Sequence, residues 1–232
     1  MIARGPVGLM DAHRTSSGED GRDFYPTPPW GARAGAAIVR TLLDPQARTV
    51  LEPACGAGHM VHGLKDYFPH VFASDAYAYD GNRIFDFLGS EPLWCGQPDW
   101  MVTNPPFAHA EAFIRRGWRE ARRGVAILGR VALLETIGRH SLLYRDCPLT
   151  VFAPFSERLP MTKDRWDPEA SSAAFYAWFF FLKPQLRPQR FMARIGGRLL
   201  PATLDIPPGT EARLTAANDA ALFGVTDRER VA

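Results

Sequence analysis

An asparagine followed by two prolines and an aromatic residue, Asn104-Pro105-Pro106-Phe107, is the stretch of this chain best equipped for chemistry. Successive prolines stiffen the backbone and carry no N–H. A turn so built can aim the Asn104 side-chain oxygen and the Pro105 carbonyl at one amino group, with Phe107 as a flat face for a planar partner. Taken alone, the tetrapeptide also suits the start of a helix. A second stretch, Glu52-Pro53-Ala54-Cys55-Gly56-Ala57-Gly58, places small residues where a ligand could approach the backbone closely. A tight strand-to-helix turn would use the same glycines. Asp75 follows at the spacing, about 20 residues, of a carboxylate that binds ribose hydroxyls. In Asp86-Phe87, a carboxylate able to accept from an exocyclic amine precedes a ring able to flank a heterocycle. His59 and His62 share a helix face, but no third ligand makes them a metal site, and they read as helix surface. Cys55 reads as a small filler rather than a nucleophile.

Strands alternating with helices are needed to hold these groups, and the pattern supplies them. Thr27 is expected to cap a helix with Pro28 and Pro29 in its first turn, running to about residue 43. Strands are expected at 49–51, 70–74, 83–85, 100–103, 125–128, 150–153 and, in an aromatic run, 172–182. Helices are expected after Gly58 to about 67, over 108–123 and over 133–144. This is the α/β pattern of a doubly wound, mostly parallel seven-stranded sheet, and the last two strands, joined without a helix, form an antiparallel pair. Each chemical group then sits at the carboxyl end of a strand, where open α/β sheets bind ligands. Residues 1–22 read as a mobile arm, 23–183 as the functional domain, and 184–232, rich in Pro and Arg, as an extension of uncertain structure.

The chain has 232 residues, 46% of them apolar, enough to bury a core and too apolar for wholesale disorder. Net charge is +2, so no overall basic field announces a nucleic-acid partner. Its cations are 24 Arg against 3 Lys, a bias toward the residue that makes forked phosphate contacts, which genomic base composition would also produce. Three scattered Cys without a CxxC argue against a disulfide framework or structural zinc and point to a reducing, cytoplasmic setting. The longest apolar run is roughly half of what a membrane span needs, so no membrane partner is expected.

With these motifs in this order, residues 24–183 resemble class I S-adenosylmethionine-dependent methyltransferases. The narrower likeness is to amino-methyltransferases with an (N/D/S)PP(Y/F/W) motif, most nearly the compact, phage- or prophage-type adenine-specific DNA methyltransferases. The resemblance implies a Rossmann-like methyltransferase fold, S-adenosyl-L-methionine as cofactor, and methyl transfer to the exocyclic N6 of adenine in DNA. It makes Asn104, Pro105, Pro106 and Phe107 the catalytic residues. Tyr25 and Thr27 then belong to the N-terminal cofactor segment, and Glu52, Ala54, Gly56 and Gly58 to the methionine-binding loop. Asp75 becomes the ribose acid, and Asp86 with Phe87 the adenine-binding pair; no metal is required.

The family's topology opens the loop between the sixth and seventh strands onto the catalytic edge. There Arg158, Lys163, Arg165 and Trp166 are candidates for contact with nucleic acid, against a plain solvated loop. The arginines of the 108–123 helix are expected on the far side of the sheet, and Arg187, Arg190, Arg194 and Arg198 on a surface face. The chain departs from the family in having no sizeable recognition domain after the catalytic motif. An RNA or protein-glutamine amino-methyltransferase, or a non-catalytic cofactor-binding module, is therefore the alternative. Oligomeric state is not legible.

Overall fold

A computed structural model describes residues 23–79, 81–135, 137–170, 174–187 and 193–224. The arm expected at 1–22 and Arg190 lie outside them. In chain order the elements are α1 (Pro29–Ile38), β1 (Thr49–Glu52), α2 (His59–Lys65), β2 (His70–Asp75), β3 (Arg83–Ile84) and β4 (Trp100–Thr103). There follow α3 (Ala110–Glu120), β5 (Gly124–Arg130), β6 (Val151–Pro154), β7 (Tyr176–Leu182), β8 (Arg194–Ile195), β9 (Arg198–Leu199), β10 (Ala202–Thr203), α4 (Thr210–Leu214) and α5 (Asp219–Phe223).

The main sheet runs β10-β6-β7-β5-β4-β1-β2-β3. β7 is antiparallel to β5 and β6, and the other pairings in this sheet are parallel. The expected doubly wound sheet with an antiparallel closing strand is thus present, with one correction: it has eight strands. The eighth is β10, which pairs Ala202 with Val151 and Thr203 with Phe152. A two-residue strand in Pro-rich sequence has no periodicity to announce it; it forms because β6 offers a free edge.

β7 shows why the core sits where it does. Tyr176, Trp178, Phe180 and Leu182 point to one face, where α1 and α2 pack, and Ala177, Phe179 and Phe181 to the other, where α3 packs. Burial on both faces makes the strand continuously apolar rather than alternating. α1 approaches so closely that a Cβ on Gly35 would overlap the Trp178 ring; Trp178 Nε1 donates to the Gly31 carbonyl at 3.0 Å.

Two expectations about helices need correction. The segment 133–144 is not one α-helix but 3₁₀ turns at Val131–Leu134 and Ile137–Arg139 followed by a π turn at Leu142–Asp146. Its buried anchors, Leu133, Leu142 and Leu143, are not spaced three or four apart, so no continuous apolar stripe exists to hold a helix. Thr27 does not cap α1 either: the cap residue is Pro28, without a side-chain bond, and the Thr27 hydroxyl is turned elsewhere.

The order in which strands are added reverses between the parallel neighbours β1 and β4, with β2 continuing on one side and β5 on the other. Such a switch point opens a crevice at the carboxyl ends of the strands. The turns that leave β1 and β4 both border it.

Candidate active site

Asn104 is the first residue beyond β4. The diproline carries the chain away, and His109 N donates to the Pro106 carbonyl at 2.9 Å to start a 3₁₀ turn at Phe107–His109. The side-chain nitrogen of Asn104 donates to the Tyr25 carbonyl at 2.9 Å and to Thr27 Oγ1 at 3.1 Å. Those two bonds set the orientation of the amide, because only its NH₂ end can donate to a carbonyl. The other end, Oδ1, is buried and has no hydrogen-bond partner. An unpaired buried acceptor costs about 1–3 kcal/mol, so its retention calls for a partner from outside the chain.

The segment Asp23–Thr27 forms a strap across this turn. Asp23 Oδ2 accepts from Phe107 N at 3.2 Å, and the Phe24 carbonyl accepts from Asp164 N at 2.9 Å. The Phe24 ring lies over Gly56, where φ is +50° and a Cβ would run into it. Glycine is required there by backbone and by space together.

Below the glycine turn, Glu52 is 0% exposed. Its Oε1 accepts from Ala54 N at 3.0 Å and from Thr103 Oγ1 at 2.6 Å, which joins the turn after β1 to the end of β4. Burial, outweighing both hydrogen bonds, pushes its carboxyl up to about 8. Glu52 is therefore a neutral brace at pH 7 that lies outside the cavity wall, next to Pro53 and Ala54, which are part of it, and its Oε2 is buried without a partner. Gly56 and Gly58 also lie outside the wall, while Ala54 is part of it. The Asp75 carboxylate accepts from Gly56 N at 2.8 Å and from Tyr77 N at 3.0 Å, so it steadies the glycine turn while facing the cavity. Asp86 accepts from Leu88 N at 2.9 Å. Phe87 packs against Phe113, with ring centroids 5.1 Å apart, and against the Arg116 guanidinium.

The turns after β1 and β4 and the strap meet at one cavity of about 560 Å³. Its wall includes Tyr25 and Thr27 from the strap, Ala54 and Cys55 from the glycine turn, Asp75, Asp86 and Phe87, and Asn104 with Pro106. The two turns that the sequence pointed to open into the same space. Pro105 and Phe107 lie outside the wall. The Phe107 ring instead sits among Tyr25 (5.4 Å), Tyr176 (6.4 Å) and the Arg130 guanidinium (4.3 Å). Among the described residues, the wall's carboxylates Asp23, Asp75 and Asp86 face a single formal cation, Lys163. His59, also in the wall, is held neutral because burial lowers it to about 4. Burial, together with the nearby Glu52 and Asp75 carboxyls, pushes the Cys55 thiol up to about 12, which fits a filler and not a nucleophile.

Sequence reasoning passed over Tyr77, Tyr79, Arg130 and Tyr176. Tyr77 and Tyr79 directly follow Asp75 beyond a strand's carboxyl end, and Arg130 is the one charged residue of an otherwise apolar β5; both were readable signals. Of the four loop candidates, Lys163 reaches the cavity wall, and Arg158 and Arg165 are exposed. Arg158 lies 4.5 Å from the Phe175 ring centroid. Trp166 is 1% exposed, a core residue and not a presented ring, which corrects its expected surface role. Three arginines of and after α3 are held in structural contacts: Arg116 is buried against the Gly89 and Glu91 carbonyls, Arg122 pairs with Asp99 at 2.9 Å, and Arg123 with Asp44 at 2.5 Å; Arg115 and Arg119 are exposed. His62 faces Asp219 at 3.4 Å, and no group of three candidate metal ligands occurs among the described residues.

No protein-family model and no curated protein matches the chain in sequence. Solved structures do match in shape. One is the methyltransferase subunit of a type I restriction-modification system from Streptococcus thermophilus, with a TM-score of 0.53, 13% identity, and coverage of 88% of this chain and 55% of that one. Another is a candidate RNA methyltransferase from Pyrococcus horikoshii, at 0.52, 14% identity, and coverage of 69% and 88%. A third is a modification subunit of a candidate type I restriction enzyme from Vibrio vulnificus, at 0.50, 15% identity, and coverage of 88% and 52%. The chain spans about half the length of the two restriction-system subunits. At such identities the likeness concerns the fold, which is the Rossmann-like one of methyltransferases.

Proposed function

We propose that this chain is an S-adenosyl-L-methionine-dependent methyltransferase that modifies the exocyclic N6 of adenine in DNA. The observation that carries the reading is the Asn104 amide: its nitrogen is tied to the strap, its buried oxygen has no partner within the described chain, and the residue borders a cavity shared with the glycine turn. An acceptor so placed suits a donor amine.

The wall fits the cofactor. Its excess of carboxylates over cations favours a ligand bearing sulfonium and ammonium charges. Asp75 would accept from ribose hydroxyls, and Asp86 from the adenine amine, with Phe87 against the ring. Tyr25 and Thr27 close the cavity from above. The bound cofactor supplies a methyl group on sulfur, which leaves as a neutral thioether.

The chain's own work is orientation and polarisation. The lone pair of an exocyclic amine is delocalised into its ring, which makes it a poor nucleophile. Asn104 Oδ1 and the Pro105 carbonyl would each accept one N6–H, favour a pyramidal nitrogen and stabilise the positive charge that develops there. Neither group is a base. The extra proton leaves N6 after transfer, when the nitrogen is cationic and acidic. In a duplex the base must first leave the stack, and Phe107 would receive it.

DNA is favoured by the two restriction-system subunits among the neighbours in fold. RNA is the second reading, favoured by the Pyrococcus horikoshii neighbour. Incubation with methyl-labelled S-adenosylmethionine and unmethylated DNA or RNA, followed by nucleoside analysis, tests both. N6-methyldeoxyadenosine is the expected product. Label in RNA alone would move the reading to the second, and label in neither would refute both.

A further inference from the structure

Arg130 closes β5 at the carboxyl edge of the sheet, opposite Tyr176 in the antiparallel register. Its guanidinium carbon stands 4.3 Å from the centroid of the Phe107 ring, a stacking distance. Its Nε is buried without a hydrogen-bond partner, and the side chain also bonds the Tyr176 hydroxyl. Tyr25 crowds the same ring at 5.4 Å. Phe107 consequently lies outside the cavity, although Asn104 and Pro106 beside it belong to the wall. The ring that should receive a planar substrate is already covered, and what covers it is itself planar and delocalised.

From this we infer that Arg130 is a substrate stand-in: it occupies the Phe107 face in the free protein and exchanges with the incoming base. The inference rests on the methyltransferase reading above and adds a residue to it. Once displaced, the guanidinium is a mobile fork at the rim of the site, within the reach of one side chain. A phosphate next to an extruded nucleotide is the ligand that such a fork fits best. The free protein thereby keeps its aromatic face dry. A lone nucleoside would have to displace Arg130 without compensation, whereas a polynucleotide repays the displacement with a phosphate. Arg130 acts as a positioning and specificity residue; it takes no part in methyl transfer itself.

The two roles have opposite signs for two ligands, which a merely structural residue would not produce. With the cofactor site saturated by S-adenosylhomocysteine, Arg130→Ala should bind free adenosine roughly three- to tenfold more tightly than wild type, because the ring face is vacated. The same variant should bind a fluorescein-labelled adenine-containing oligonucleotide more weakly, with the slope of log affinity against log salt shallower by about one. Arg130→Gln, which keeps a polar planar end without charge, should lose the salt-slope unit and leave adenosine affinity near wild type. An unchanged S-adenosylhomocysteine affinity reports that each variant is folded. Equal affinities for both ligands in wild type and variants would overturn the exchange alone. Absence of adenosine and oligonucleotide binding in every protein would overturn it together with the adenine reading.

Discussion

A carboxamide has a donor end and an acceptor end, and at Asn104 the chain uses only the donor. Thr27, read from sequence as a helix cap, is in fact half of the device that makes this so. Thr27→Val keeps shape but removes one of two anchors, a loss of about 1 kcal/mol in amide orientation. Turnover should fall about fivefold with a smaller change in KM, and Thr27→Ser should restore it; steady-state kinetics that showed a KM effect alone would assign Thr27 to binding. Asn104-Pro105-Pro106-Phe107 was legible because proline stiffness is a local property. Its partners were not, since Tyr25 and Thr27 lie 79 and 77 positions away in the chain and meet it only through the fold. The bracing contact of Glu52 was hidden for the same reason. Its Oε1 accepts from Thr103, 51 residues on, a bond that no local pattern announces.

Among the elements, the strap and the glycine turn depend on one contact, Phe24 over Gly56. Gly56→Ala meets both a left-handed φ of +50° and the ring. It should cost about 1–3 kcal/mol of stability and lift the strap, lowering S-adenosylmethionine affinity at least tenfold. Calorimetric titration checks this, and wild-type affinity would show that the strap is not part of the site. The strands were readable because two-sided burial writes long apolar runs such as residues 176–182 into the sequence. Helix boundaries were not, because the 131–146 segment is anchored at irregular intervals to the sheet and not along one face.

At the scale of the molecule, the part after residue 184 proved the least legible, and its described residues include contacts that tie it to the rest of the fold. Asp219, 0% exposed, takes a bidentate bond from Arg33 at 2.5 and 2.9 Å, and Arg33 also reaches Asp66 at 2.6 Å. An ion pair 186 residues apart leaves no trace in local pattern. Asp219→Ala removes two of the bonds to a buried guanidinium, leaving Asp66 and the Leu214 carbonyl, and should destabilise by about 2–3 kcal/mol in urea unfolding; a loss below about 1 kcal/mol would show the pair to be dispensable. Two groups of carboxyls give opposite pH responses. Burial alone would raise Asp44, Asp99 and Asp219, but their arginine partners and other hydrogen bonds outweigh it and hold them low. Their stabilisation is present above the ordinary carboxylate range and is lost as pH falls through the lowered values, below about pH 4. Glu52, raised by burial to about 8, behaves the other way: the folded state holds its proton, so stability falls as pH climbs from the ordinary 4.5 toward 8. The melting temperature of wild type minus that of Glu52→Gln should decline over that interval, and a flat difference would mean that Glu52 is ionised when folded.

The most direct trial of the whole account pairs two readings on one variant: S-adenosylmethionine affinity and methyl transfer to unmethylated DNA by Asn104→Ala. Loss of a charge-stabilising acceptor should lower transfer by about 10²–10³-fold, with cofactor affinity within about twofold of wild type. Transfer at the wild-type rate would contradict the role assigned to that free oxygen and to the cavity built around it.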